Sequence, residues 1–235
     1  MYQNQLSTWE KLTATTTLSR SQSAVIKQTY MLLGVSVLSA MAGGYIGATS
    51  ETIVRFFSST IGWIAAIALL NAVPYVAMAC RHNPALGVTA LVFDGFVAGI
   101  AISPLLFFAS LVAPAMIVVA IMITGLVFMA ITGYVFMSGR TFAAPRGLMI
   151  GMFVSIAAAI LLNSFLNIGW LGVVASAGIG IFGCMALVYS TSGVLASPDA
   201  DSPIPGALAL FSGLFNVFVA VLNILLRLLG GGRRD

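Results

Sequence analysis

The sequence predicts an all-α, polytopic membrane protein with about seven transmembrane helices, and three observations support this prediction. Of the 235 residues, 60% are hydrophobic and only 7% are charged, and the mean hydropathy is +1.08. Soluble domains carry charges on roughly a quarter of their residues. A soluble protein of this size could not cover so much apolar surface with polar groups, whereas a protein in a lipid bilayer has no such need.

The third observation is a series of apolar runs along the chain. Each is long enough to cross the bilayer core as a helix of about 20 residues. The runs are too long for the strands of a membrane β-barrel, and they lack its alternation of polar and apolar residues. The predicted crossings are residues 28–48, 56–79, 86–108, 112–137, 147–166, 169–195 and 205–229.

Polar tails are predicted on both sides of the transmembrane bundle, which covers residues 26–229. Residues 1–25 are rich in Ser, Thr and Gln and lack the apolar core of a signal peptide, so we predict a flexible tail. Residues 230–235 form a short basic tail. Lys and Arg concentrate in the loops on the N-terminal side, which predicts a cytoplasmic N-terminus. The side of the C-terminus stays open, because a re-entrant last segment would bring it back to the cytoplasmic side.

Several functions are disfavoured by the absence of their motifs. No nucleotide-binding loop, serine elbow or metalloprotease motif is present, so we expect neither an enzyme nor a cofactor. The basic residues are scattered, which argues against nucleic acid as a partner. Cys80 and Cys184 lack the spacing of a zinc site, and we predict small buried side chains. His82, Asp199 and Asp201 are predicted to lie in polar turns.

Asp94 is the ionisable residue placed most deeply in a predicted crossing, and no basic residue shares that segment. Such a residue is costly in lipid and is therefore a functional candidate. Two interpretations stay open: a proton- or cation-sensing carboxylate that faces a cavity, or a protonated group hydrogen-bonded to a neighbouring helix. Pro104, late in the same crossing, predicts a kink that serves either a cavity or packing.

A polar stripe runs along the last predicted crossing. Its members are separated by four, seven and four residues, which places them on one helical face. They are Ser212, Asn216, Asn223 and Arg227. That face is predicted to look into the bundle or to line an ion path, with interhelical hydrogen bonding as the structural alternative. Its candidate partners are Asn163, Ser190, Thr191 and Ser192.

Three pairs of glycines with four-residue spacing predict close helix contacts, because small residues let backbones approach each other in lipid. The pairs are Gly43 with Gly47, Gly95 with Gly99, and Gly147 with Gly151.

Five stretches carry a resemblance to a known family. They are Lys27–Leu33, Phe93–Leu106, Asn163–Leu166, Leu210–Phe218 and Leu225–Gly230. In this order, over residues 25–230, they resemble the Bax-inhibitor family of seven-crossing membrane proteins, and most closely its bacterial YccA-like branch. The resemblance implies a bacterial inner-membrane protein whose last helix is central and wrapped by the other six.

The resemblance also implies two competing functions. Some members are pH-sensitive calcium leaks gated by two aspartates, whose positions correspond here to Ser190 and Gly213. Neither residue can titrate, so a calcium or proton leak would have to use Asp94 and the polar stripe. The YccA-like branch is associated with the membrane AAA protease FtsH, and a polar N-terminal tail suits such a protease. We therefore expect a stress-linked modulator of that protease, with a cation leak as the alternative.

Overall fold

The computed structural model describes residues 20–143, 145–166, 169–196 and 202–231. These residues form α-helices joined by short turns, and no strand occurs among them, so the predicted all-α membrane fold is confirmed. In chain order the helices are α1 (Arg20–Thr49), α2 (Glu51–Ser58), α3 (Thr60–Ala79), α4 (Pro84–Ala101), α5 (Ser103–Val112), α6 (Ala115–Ser138), α7 (Arg146–Leu166), α8 (Gly169–Ala196) and α9 (Ile204–Gly231).

The two ends of the bundle are fixed by contacts between helices. The Thr29 hydroxyl lies 3.4 Å from the carbonyl oxygen of Pro203, so α1 and α9 begin at the same end, here called the proximal end. The Arg227 guanidinium packs against Gly172, which places the last turns of α9 beside the first turn of α8 at the opposite, distal end. Helix α9 therefore crosses the whole bundle, which excludes the re-entrant alternative for the last segment.

Six helices are long and apolar enough to cross a membrane: α1, α3, α4, α6, α8 and α9. Helix α7 has 21 residues but a shorter described apolar stretch, Gly147–Asn163. The Phe142 amide, just before α7, donates to the Ser192 hydroxyl near the proximal end of α8, at 2.7 Å. Helix α8 nevertheless begins at the distal end, so α7 must run the length of the bundle as the predicted fifth crossing.

The predicted boundaries need correction at two places. Helix α1 begins at Arg20, so residues 20–25, assigned to the N-terminal tail, are helical; residues 1–19 and 232–235 lie outside the described part. The second crossing begins at Thr60 rather than 56, because the Ser59 hydroxyl accepts from the Gly62 amide and starts a new helix. The short α2 before it carries an exposed ion pair, Arg55 with Glu51, at 2.6 Å.

The third crossing is broken rather than continuous. Helix α4 ends at Ala101, and α5 begins at Ser103, directly before Pro104. Proline has no amide proton to continue the hydrogen-bond ladder, and its ring collides with the preceding turn. The predicted kink is therefore confirmed.

Helix α9 forms the core of the bundle, as the resemblance implied. All three buried apolar clusters include its side chains, among them Leu208, Leu210 and Leu222. It contacts α1, α3, α4, α5, α6 and α8. Helix α7 instead packs against α8, so the expectation that all six other crossings wrap the last helix needs this correction.

Two of the three glycine pairs form the predicted close contact, between the parallel helices α1 and α4. A Cβ atom added at Gly43 would collide with the Phe96 carbonyl oxygen, and one at Gly99 with the Ala40 carbonyl oxygen. The Ser39 hydroxyl donates to the Val92 carbonyl oxygen across the same contact, at 2.7 Å. The prediction for the third pair is wrong, because no described residue lies within 4 Å of an added Cβ atom at Gly147 or Gly151.

Candidate functional site

Asp94 lies in the packed interior of the bundle, with 5% of its surface exposed. It shares one face of α4 with Leu91 and Ala98, which are buried in clusters that also contain α9 side chains. The carboxyl group therefore points toward the central helix. Within the described residues it makes no hydrogen bond or ion pair, so the interpretation as a hydrogen-bonded structural group finds no partner there.

The polar stripe of α9 borders the surface rather than the centre of the bundle. Ser212 and Arg227 are exposed, whereas Asn216 and Asn223 are partly buried. Their side chains make no hydrogen bonds to the part of the chain that the structure describes. The stripe thus lies on the least covered side of an otherwise buried helix, where water, lipid or another protein could reach it.

The residues predicted as partners of the stripe are placed elsewhere. Asn163 lies near the distal end of α7, where its side-chain oxygen Oδ1 is buried without a hydrogen bond to described residues. Ser190 lies near the opposite end, on α8, and lines a cavity described below. Ser192 accepts the Phe142 amide and so fixes the connection between α6 and α7. The structure therefore brings neither Asn163 nor Ser192 to the stripe.

The two positions that correspond to the family's gating aspartates have different surroundings. Ser190 lines the cavity at the proximal end, whereas Gly213 lies in the contact between α8 and α9. A Cβ atom added at Gly213 would lie 2.9 Å from the Leu187 side chain, and one at Gly183 would lie 2.9 Å from the Gly213 carbonyl oxygen. The contact leaves no room for a carboxylate at position 213 unless the helices move apart.

The sequence analysis named Thr191 only as a candidate partner of the polar stripe and did not predict the group of buried hydroxyls to which it belongs. Tyr30 of α1, Thr132 of α6 and Thr191 of α8 each have a buried oxygen without a hydrogen bond to the described residues, and both threonines lie beside the tyrosine hydroxyl. Buried polar groups are normally hydrogen-bonded, so these three hydroxyls form an unusual polar cluster inside an apolar bundle. The sequence shows the hydroxyls, but it does not show which helix faces meet.

A second missed feature is a cavity of about 400 Å³ at the proximal end. The first turns of α1 and α9, the turn between α3 and α4, and the end of α8 surround it. Its polar lining consists of Thr29, Arg81, His82, Ser190 and Ser202. His82 is exposed, as predicted for a polar loop, but its place beside the cavity could not be derived from its position in the chain.

Comparison with known proteins gives a consistent family match. The family described as "Inhibitor of apoptosis-promoting Bax1" matches residues 22–231. An uncharacterized protein of Neisseria meningitidis serogroup A is 31% identical over 220 residues, which cover 89% of this chain and 93% of that protein. An uncharacterized protein of Campylobacter jejuni is 29% identical, with 89% and 90% covered. The Escherichia coli K12 protein named "Modulator of FtsH protease YccA" is 25% identical, with 86% and 89% covered.

Proposed function

The chain belongs to the Bax inhibitor family, and from that premise we propose that it modulates a membrane-anchored AAA protease of the FtsH type. The observation that carries the proposal is the contact between α8 and α9 at Gly213. A two-aspartate gate needs a carboxylate at this position, and here a glycine packs against Leu187 instead. Similarity to a protein named as an FtsH modulator, over most of both chains, supports the same function.

We further propose that the proximal end faces the cytoplasm of a bacterial inner membrane. Lys27, Arg81 and Arg140 belong to this end, whereas Arg55 and Arg227 belong to the distal end. Positive residues in short loops favour the cytoplasmic side. Residues 1–19, rich in Ser, Thr and Gln, would then lie on the side where such a protease engages its substrates, and the protein would act without catalysis of its own.

The test is copurification from native membranes, combined with measurement of protease activity on a membrane substrate. The full chain, a variant without residues 2–19 and a control without residues 232–235 should be compared in a strain that lacks the native gene. We expect the protease to copurify with the full chain and the control, and deletion of the gene to change substrate turnover. Absence of the protease, together with unchanged turnover, would contradict the proposal.

A cation leak is the second candidate, and one observation favours it. Asp94 is buried beside the central helix without a described partner, and a carboxyl group in that position can bind or release a proton or a cation. The uncovered stripe of α9 offers polar groups along the membrane normal, at Ser212, Asn216 and Asn223.

Calcium and proton flux into proteoliposomes between mildly acidic and mildly alkaline pH tests the leak. The Asp94→Asn variant removes the buried carboxylate, and Glu51→Gln is the matched control, because Glu51 is exposed on α2. A leak predicts pH-dependent flux that falls in Asp94→Asn and persists in Glu51→Gln. Flux no higher than in protein-free liposomes would rule the leak out and leave the protease proposal unaffected.

A further inference from the structure

The cavity at the proximal end has one positively charged side chain in its described lining, that of Arg81. Arg81 and His82 line it, and none of the described residues in its lining is acidic. The Arg81 Nε–H group donates to His82 Nε2 at 3.1 Å, which leaves the terminal guanidinium nitrogens without a partner among the described residues. An arginine whose terminal nitrogens have no partner presents coplanar N–H donors that match the oxygen atoms of a phosphate group.

Hydroxyl groups and a helix terminus add further donors to the same cavity. Ser190 comes from the end of α8, and Ser202 lies two residues before the start of α9. Gly206 also lines the cavity, and its amide belongs to the first turn of α9, where amide protons have no partner within the helix. Donors at a helix N-terminus favour anions, and here the Gly206 amide supplements the Arg81 guanidinium.

Size and position identify the class of ligand. A volume of about 400 Å³ exceeds that of a simple halide ion and accommodates a phosphate group with part of an attached molecule. Lys27 is exposed near the proximal end of α1, where a helix that crosses the membrane would meet lipid headgroups. We propose that this cavity binds a phosphate group, carried either by an anionic phospholipid or by a soluble phosphate compound. The proposal does not depend on the protease or the leak.

The test compares two arginines at the same end of the bundle. Arg81→Gln removes the donor at the cavity, whereas Arg140→Gln removes an exposed charge that does not line it. Binding of inorganic phosphate to the purified full chain should be measured in neutral detergent by calorimetry. Binding of phosphatidylglycerol should be measured in nanodiscs, with phosphatidylcholine as the reference, by native mass spectrometry.

We expect Arg81→Gln to weaken binding by about tenfold or more, because a charge-assisted hydrogen bond is lost, and Arg140→Gln to change it little. Binding of inorganic phosphate would identify a soluble ligand, and binding of phosphatidylglycerol alone would identify a lipid headgroup. Equal effects of the two variants would overturn the proposal, because binding would then follow net charge only.

The chain's own carboxylates provide the last control. Asp199 and Asp201 lie outside the described residues, three residues and one residue before Ser202 in the sequence. The measurements should therefore be repeated in a chain that carries Asp199→Asn and Asp201→Asn. Binding in neither chain would overturn the proposal. Binding only in the double variant would overturn it as well, because these carboxylates would then be the occupants of the cavity.

Discussion

Replacement of Gly99 by alanine tests the contact between α1 and α4 most directly. The added Cβ atom would collide with the Ala40 carbonyl oxygen and lie 2.6 Å from the Gly44 nitrogen and 2.9 Å from the Ala40 carbonyl carbon. Non-bonded heavy atoms prefer separations of about 3.5–4.0 Å. All three neighbours are backbone atoms that cannot rotate away, so the two helices must move apart by roughly 1 Å.

The expected loss of stability follows from three contributions. Overpacking of a tight contact costs about 1–3 kcal/mol. Separation of the helices also stretches the hydrogen bond from Ser39 to Val92, and such bonds in membrane proteins contribute about 0.6 kcal/mol. Alanine offsets part of this cost, since it favours the helix over glycine by about 1 kcal/mol. We expect Gly99→Ala to lower the free energy of unfolding by about 1–2 kcal/mol.

Gly133→Ala is the matched control, because an added Cβ atom at this position of α6 would have no described residue within 4 Å. Only the helix-forming advantage of alanine acts there, so this variant should be as stable as the wild type or more stable. Unfolding by increasing SDS in mixed micelles, followed by circular dichroism, measures both variants. Equal stability of Gly99→Ala and Gly133→Ala would refute the close approach of the two backbones.

Three further predictions concern other positions of the bundle. Introducing the family's carboxylates one at a time should affect stability differently at the two gate positions. Ser190→Asp should fold normally, whereas Gly213→Asp should lower the thermal midpoint of unfolding, because Leu187 occupies the space. Equal stability of the two variants would contradict this packing. Ser39→Ala should cost about 0.6 kcal/mol in SDS unfolding, whereas Ser110→Ala, whose hydroxyl bonds only within its own helix, should cost less. Asp94→Asn should leave thermal stability unchanged, because no described partner is lost; a clear drop would reveal a hydrogen bond to this side chain.

The apolar runs predicted the crossings well because bilayer thickness sets helix length, and this constraint acts on each run separately. Local chemistry also predicted the break near Pro104, since the effect of proline on a helix depends only on adjacent turns. The separation of α2 from α3 was missed, because the apolar residues of α2 continue the hydrophobic run and only the Ser59 cap divides them.

The faces of the helices were harder to predict than their lengths. The glycines at 43, 47, 95 and 99 do form a contact, but the same spacing at Gly147 and Gly151 does not. Spacing shows that a helix can approach another closely, and only the arrangement of all helices decides whether a partner is present. Helical periodicity placed the polar residues from Ser212 to Arg227 on one face of α9. The sequence did not show that this face borders the surface of the bundle.

The central position of α9 has a consequence for biosynthesis. A ribosome makes this helix after the other described helices, and yet every buried cluster of the described bundle includes its side chains. The preceding helices can enter the membrane in turn, but they cannot complete their packing until residues 204–231 have left the ribosome. A chain without residues 204–231 would leave the other crossings around an unfilled centre, so we expect it to fail to pack.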